Sequence, residues 1–137
     1  MNLRPTTDIL LIRHGETDWN IDKRLQGHID IALNAEGWRQ ARALALVLEN
    51  EPLDAIYASD LQRARDTAQA IADLQGQAVL IDPALRERSY GGFEGLQHHE
   101  IAQRHPAYFA AWRARALDVR YPDGERVAET MREFSGR

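Results

Sequence analysis

The chain has 137 residues, 44% of them hydrophobic, with no cysteine and a formal net charge of −4. That length fits one domain around one core, and a chain without cysteine makes neither disulfides nor thiolate metal sites. The negative balance gives no global attraction to nucleic acid or anionic lipid, so a bound phosphate would need a local positive field.

No apolar run approaches the length of a membrane span, and residues 1–7 lack the apolar centre of a signal peptide. A cytoplasmic location is expected, which the lack of cysteine also fits. Ile9-Leu10-Leu11-Ile12 reads as a short strand buried on both faces, ending abruptly at Arg13-His14-Gly15. The crevice beyond the carboxyl end of such a strand is where open α/β sheets bind ligands. Arg13 offers a fork of donors to an oxyanion, and His14 can be a nucleophile, a base or a ligand.

Residues 21–33 carry no sustained period and read as an ordered loop over the strand end, a lid or pocket wall. Asn34 is a good N-cap. Ala41, Leu44, Ala45 and Leu48 follow at helical spacing, giving a helix of roughly residues 35–49. Residues 53–58 read as a second strand, and Ser59-Asp60 as the cap of the next helix. Leu61, Ala64, Ala68, Ile71 and Ala72 form its buried stripe, and Gly76 suits the position past its end.

Arg63 falls in the first turn of that helix, where the dipole disfavours a cation, so an anion is expected beside it. A salt bridge to Asp60 or Asp66 is the plainer alternative. Residues 77–82 read as a third strand. Residues 85–96 hold Gly91, Gly92 and Gly95 and read as a shaped loop. Taken alone, Glu87 there would pair with Arg86 or Arg88.

From Gln97 on the pattern turns helical, with one short helix over residues 100–104 and another starting at Pro106. Tyr108, Phe109, Trp112 and Leu117 supply an apolar face. His98 and His99 read as exposed, and the pair without a third ligand is weak evidence for metal. Tyr121-Pro122-Asp123-Gly124 reads as a turn, and another helix is expected from Arg126. The expected fold class is α/β, a three-layer sandwich with a mostly parallel central sheet and helices on both faces, built by right-handed crossovers.

Three stretches in order carry a resemblance. Arg13-His14-Gly15-Glu16-Thr17-Asp18-Trp19-Asn20, then residues 59–68 around Arg63, then residues 85–96 beginning with Leu85-Arg86-Glu87 resemble the motifs of the histidine phosphatase superfamily, the phosphoglycerate mutase-like family. The resemblance covers about two-thirds of the chain. It implies a phosphate monoester hydrolase that works through a phosphohistidine on His14. It also implies Arg13 and Arg63 on the phosphoryl oxygens, Asn20 as a neutral donor, and Glu87 as proton donor. The substrate-binding set it implies is Arg13, Asn20, Gly27, Arg63, Arg88 and Tyr90. No metal or cofactor is called for, because the arginines supply the positive charge that magnesium supplies elsewhere. Glu87 would be kept protonated by burial or by the phosphate beside it. The partner expected is a small phosphorylated metabolite, neither nucleic acid nor membrane; the oligomeric state stays open.

Two alternatives belong to the same resemblance. Arg88 and Tyr90 match positions that hold substrate in the bisphosphoglycerate-dependent mutases, yet a lysine those enzymes carry is here His98, which favours the phosphatase branch. The family also uses a second catalytic histidine, usually before a glycine, and only His14 precedes a glycine here. A non-catalytic phosphate-binding or scaffold protein is therefore the other alternative. The same absence leads to the expectation that residues 1–137 form the N-terminal portion of a longer family domain, marginally stable and nearly inactive alone. The apolar flank of Ile9 to Ile12 would then face a gap or solvent.

Overall fold

The computed structural model describes residues 5–114 and 120–125. Within them the first ordered feature is a capped turn. Thr17, in extended backbone, accepts through its hydroxyl from the Asn20 N–H, and the Asn20 side chain accepts from the Thr17 N–H, which opens the short helix α1 (Asp18–Ile21). Asn34 caps α2 (Ala35–Val47) by accepting from the Gly37 N–H at 2.8 Å, as its residue type leads one to expect.

The next helix, α3 (Gln62–Gln75), is capped differently from the expectation. Its N-cap is Leu61, which has no side chain to offer. The orphan N–H of Gln62 instead donates to Asp30 Oδ1 at 2.8 Å, so the loop before α2 supplies the cap. Asp60, the expected cap, is taken by a two-point ion pair with Arg86. The other end follows the expectation: Gly76 sits in left-handed backbone at φ 64°, the conformation glycine adopts without penalty.

Strands β1 (Ile56–Ala58) and β2 (Val79–Ile81) pair in parallel, with Ile56 opposite Val79 and Ala58 opposite Ile81. They flank α3, so the three form a βαβ unit, shorter at both strands than the sequence suggested. α3 packs on both strands and α2 packs on α3. Small residues make that approach close. Ala45, Ile56, Ala58, Ala68, Ile71 and Ala72 form one core, with Leu44, Leu48 and Leu53 against it. Burying Ile71 alone stabilises by about 1.5–3 kcal/mol.

A second core lies on the far segment. Two single 3₁₀ turns, Pro83–Leu85 and Gly91–Phe93, shape the glycine-rich loop. Helices α4 (His98–Arg104) and α5 (Pro106–Arg113) then pack on each other. Phe93, Ile101 and Tyr121 are buried together, with Leu25, Tyr90, Leu96, Phe109 and Trp112 around them. The expected turn at residues 121–124 is present, closed by the Gly124 N–H donating to the Tyr121 carbonyl at 2.9 Å. Leu117 and the helix expected from Arg126 lie outside the described residues.

The molecule is α/β, with a sheet of two parallel strands among the described residues. The expectation of a buried strand at Ile9–Ile12 is corrected. The stretch has no ladder partner among the described strands, and Ile9 is 81% and Leu11 96% exposed. Apolar residues give a segment strand propensity, but burial on two faces needs neighbours on both sides. The solvent-facing flank expected for this segment is what the structure has.

Candidate active site

Three backbone hydrogen-bonding groups at the end of the exposed segment are tied to groups from elsewhere in the chain, two of them side chains. Gly15 N–H donates to Thr67 Oγ1 at 3.0 Å, and that hydroxyl donates onward to the Arg63 carbonyl at 2.7 Å. Glu16 N–H donates to Gln40 Oε1 at 2.9 Å. The Asn34 N–H donates to the Glu16 carbonyl at 3.0 Å. α2 therefore lies directly on this loop. Gly15 and Gly37 face each other closely enough that a Cβ built on Gly15 would stand 2.5 Å from the Gly37 carbonyl oxygen. Here glycine is required by close approach of two backbones.

His14, half-buried, places Nδ1 2.6 Å from the Gly15 carbonyl oxygen. A carbonyl only accepts, so Nδ1 carries the proton and Nε2 keeps its lone pair. Burial holds the His14 pKa below its ordinary value, and the charges of Arg63 and Arg13 push the same way. The Gly15 bond and the Glu87 carboxylate oppose them. The imidazole is therefore biased towards its neutral, nucleophilic form.

Arg63 is 3% exposed, deeper than an arginine normally lies. Neither Asp60 nor Asp66 pairs with it. Nη1 donates to the Ile29 carbonyl at 2.8 Å and Nη2 to the Gly27 carbonyl at 2.7 Å. Burial disfavours its charge, partly offset by Glu87, Asp30 and Glu94. Gly27 thus meets the site through its carbonyl. Its φ of 54° and the Glu94 carboxylate packed against it leave no room for a side chain.

Arg13 is exposed and has no hydrogen-bond or ion-pair partner among the described residues. With His14, Glu16, Asn20 and Gln40 it lines a cleft of about 280 Å³. The Asn20 oxygen is committed to Thr17 by the N–H that donates to it at 2.9 Å, so its amide NH₂ group is left as a donor for the cleft.

Glu87 acts electrostatically on His14, Arg63 and Tyr90. The expected burial of Glu87 is corrected, because its side chain is 54% exposed. It accepts from the Arg88 N–H at 2.9 Å, and its nearest cation is Arg88 Nε at 3.9 Å. It sits at the rim of a loop held by glycines, and nothing in the described residues closes over it.

Arg88 lies over the Tyr90 ring at 5.3 Å and the Tyr121 ring at 5.9 Å. Arg88 Nε and the Tyr121 hydroxyl are buried with no hydrogen-bond partner among the described residues. Burial pushes both tyrosine pKa values up. Glu94 Oε1 ties this side to the loop before α2, accepting from the His28 N–H at 2.9 Å and the Tyr90 N–H at 3.0 Å.

His98 and His99 are exposed, as expected. Among the described residues no three His, Asp or Glu side chains converge as a metal site, and no helix is long and apolar enough to cross a membrane. Sequence reasoning missed Thr67 and Gln40. A threonine or glutamine inside a helix carries no signal of its own, since each works here through another residue's backbone.

The chain matches the model of the histidine phosphatase superfamily (branch 1) over residues 9–136. It is 42% identical over 121 residues to a metal-independent phosphoserine phosphatase of Arabidopsis thaliana, covering 86% of this chain and 50% of that protein. Over 105 residues it is 42% identical to a glucosyl-3-phosphoglycerate phosphatase of Mycolicibacterium vanbaalenii, covering 77% of this chain and 47% of that one. Among solved structures it superposes on a putative alpha-ribazole-5'-P phosphatase from Escherichia coli with a TM-score of 0.84 at 30% identity. That match covers 91% of this chain and 62% of the other. The chain spans about half the length of the curated relatives it matches.

Proposed function

Since the chain belongs to the histidine phosphatase superfamily, branch 1, we propose that it serves the hydrolysis of small phosphate monoesters through a phosphohistidine on His14, without a metal ion. The observation that carries this reading is the bond from His14 Nδ1 to the Gly15 carbonyl, which leaves Nε2 with its lone pair in a ring that feels the charges of Arg63 and Arg13. Nε2 attacks phosphorus in line, and the P–N bond forms as the ester P–O bond breaks. Arg13, Arg63 and the Asn20 amide hold the phosphoryl oxygens as charge shifts among them. Glu87 protonates the leaving alkoxide, then takes a proton from the water that cleaves the phosphohistidine.

The phosphatase-named relatives support hydrolysis over mutase action. The charges of Arg63 and Arg13 that act on His14 support metal independence. The same reading takes residues 1–137 as part of one family domain, supported by a match running from residue 9 to 136. It places the protein in the cytoplasm, supported by a sequence without cysteine.

The test is to quench the protein with a radiolabelled aryl phosphate and map the label. Acid-labile phosphate on His14 is expected, formed equally well in excess EDTA. Label on a serine or aspartate, or loss of labelling restored by magnesium, would overturn the reading. Offered 3-phosphoglycerate as well, the protein should release phosphate from the aryl ester rather than interconvert phosphoglycerates.

A further inference from the structure

The peptide joining Gly15 to Glu16 is held at both polar ends. Its carbonyl accepts from His14 Nδ1 at 2.6 Å, and its N–H donates to Gln40 Oε1 at 2.9 Å. A peptide whose N–H is bound has a more polarised carbonyl, so the bond on the His14 side is strengthened. Gln40 comes from α2, one turn after Gly37, whose missing Cβ lets the helix backbone sit against Glu16. Its side chain is exposed and belongs to neither core. Packing therefore does not explain its place in the cleft. Its own orientation is set by the same bond: Oε1 takes the Glu16 N–H, and Nε2 donates towards Glu36 Oε1 at 3.4 Å.

We propose that Gln40 is a positioning residue, which acts through the Gly15–Glu16 peptide to hold His14 in the tautomer with its proton on Nδ1 and its lone pair on Nε2. The proposal rests on reading His14 as the nucleophile, but the hold is a property of the resting chain. Without Gln40, water replaces the acceptor at the Glu16 N–H, and the peptide plane loses the side-chain bond that fixes its N–H end. His14 then loses a fixed acceptor for Nδ1–H. A ring with its proton on Nε2 presents phosphorus with hydrogen in place of an electron pair.

The charged groups acting on His14 are Arg63, Arg13 and Glu87, with Glu36 and Arg39 paired beyond Gln40. Gln40→Glu adds a carboxylate at the far end of the same peptide, which favours the imidazolium.

The test labels the five histidines isotopically in the 137-residue chain and reads the His14 ring by long-range proton–nitrogen correlation, its signals identified by their loss in His14→Gln. Wild type should show the proton on Nδ1. Gln40→Leu should show both tautomers, with a thermal midpoint close to wild type because the residue is exposed. Gln40→Glu should raise the His14 titration midpoint by about half a unit, less than the 1–3 units of a directly adjacent charge. A wild-type proton on Nε2, or unchanged tautomer and midpoint in both variants, overturns the proposal. The wild-type and Gln40→Glu spectra decide even if Gln40→Leu fails to fold. Failure of the nucleophile reading shows separately, as absence of acid-labile label on His14 in a chain whose tautomer still depends on Gln40.

Discussion

At the scale of single residues, burial does more to His14 than any neighbouring charge, and it holds the pKa below the ordinary value. An unfolded chain lacks that burial. Between the folded pKa and about 6.5 the unfolded chain therefore binds more protons, and stability falls as pH drops through that window. Below the folded pKa the loss levels off. His14→Gln removes this contribution. In urea unfolding at about pH 8 and about pH 5, wild type should lose more stability on acidification than the variant. Equal losses would place the acid sensitivity elsewhere. Thr67 invites a second measurement, because its hydroxyl serves both the Gly15 N–H and the Arg63 carbonyl while 4% exposed. Thr67→Val keeps the shape but strands a buried donor, at a cost of about 1–3 kcal/mol. Thr67→Ser should keep most of the wild-type stability in chemical denaturation, and destabilisation by Ser with Val close to wild type would make the methyl group, rather than the hydroxyl, the part that matters.

At the scale of elements, the contact of α2 with the His14 loop depends on two glycines. A Cβ on Gly37 would overlap the Glu16 carbonyl oxygen, so Gly37→Ala must push the helix off the loop, costing about 1–3 kcal/mol. The expected result is a lower thermal midpoint together with weaker phosphate binding. A variant that melts like wild type would mean the loop yields instead. The helices were largely legible in the sequence because their signals are local: apolar spacing in α3, Asn34 before α2, Gly76 after α3. The cap from Asp30 was not, since the donor it serves, Gln62, lies 32 positions along the chain. The Ile9–Ile12 segment misled for a related reason, as an apolar run reports propensity and not whether a neighbour exists. Arg13, His14 and Arg63 were legible from motifs, whereas Thr67 and Gln40 act on backbone amides that any residue could carry.

At the scale of the whole molecule, a sheet of two parallel strands among the described residues and an exposed apolar segment make a chain prone to associate. Sheets this small are marginal, and Ile9–Ile12 offers N–H and C=O groups without a ladder partner among the described residues, beside the 81–96% exposed Ile9 and Leu11. Residues 1–137 should melt at low temperature and associate with rising concentration in sedimentation. Leu11→Lys should suppress that association without lowering the melt; association unaffected by the substitution would move the sticky surface elsewhere. The two cores share no residue: one joins α2, α3 and the strands, the other gathers Phe93, Ile101 and Tyr121. Arg63 and Thr67 ride on the first, and Arg88 and Tyr90 lean on the second. Inheritance can then act on them separately. A lineage can resize the Phe93 cluster, generation by generation, without repacking the alanines beneath the arginines. Its descendants would keep the seat of Arg63 and Thr67 while drifting apart around Arg88 and Tyr90.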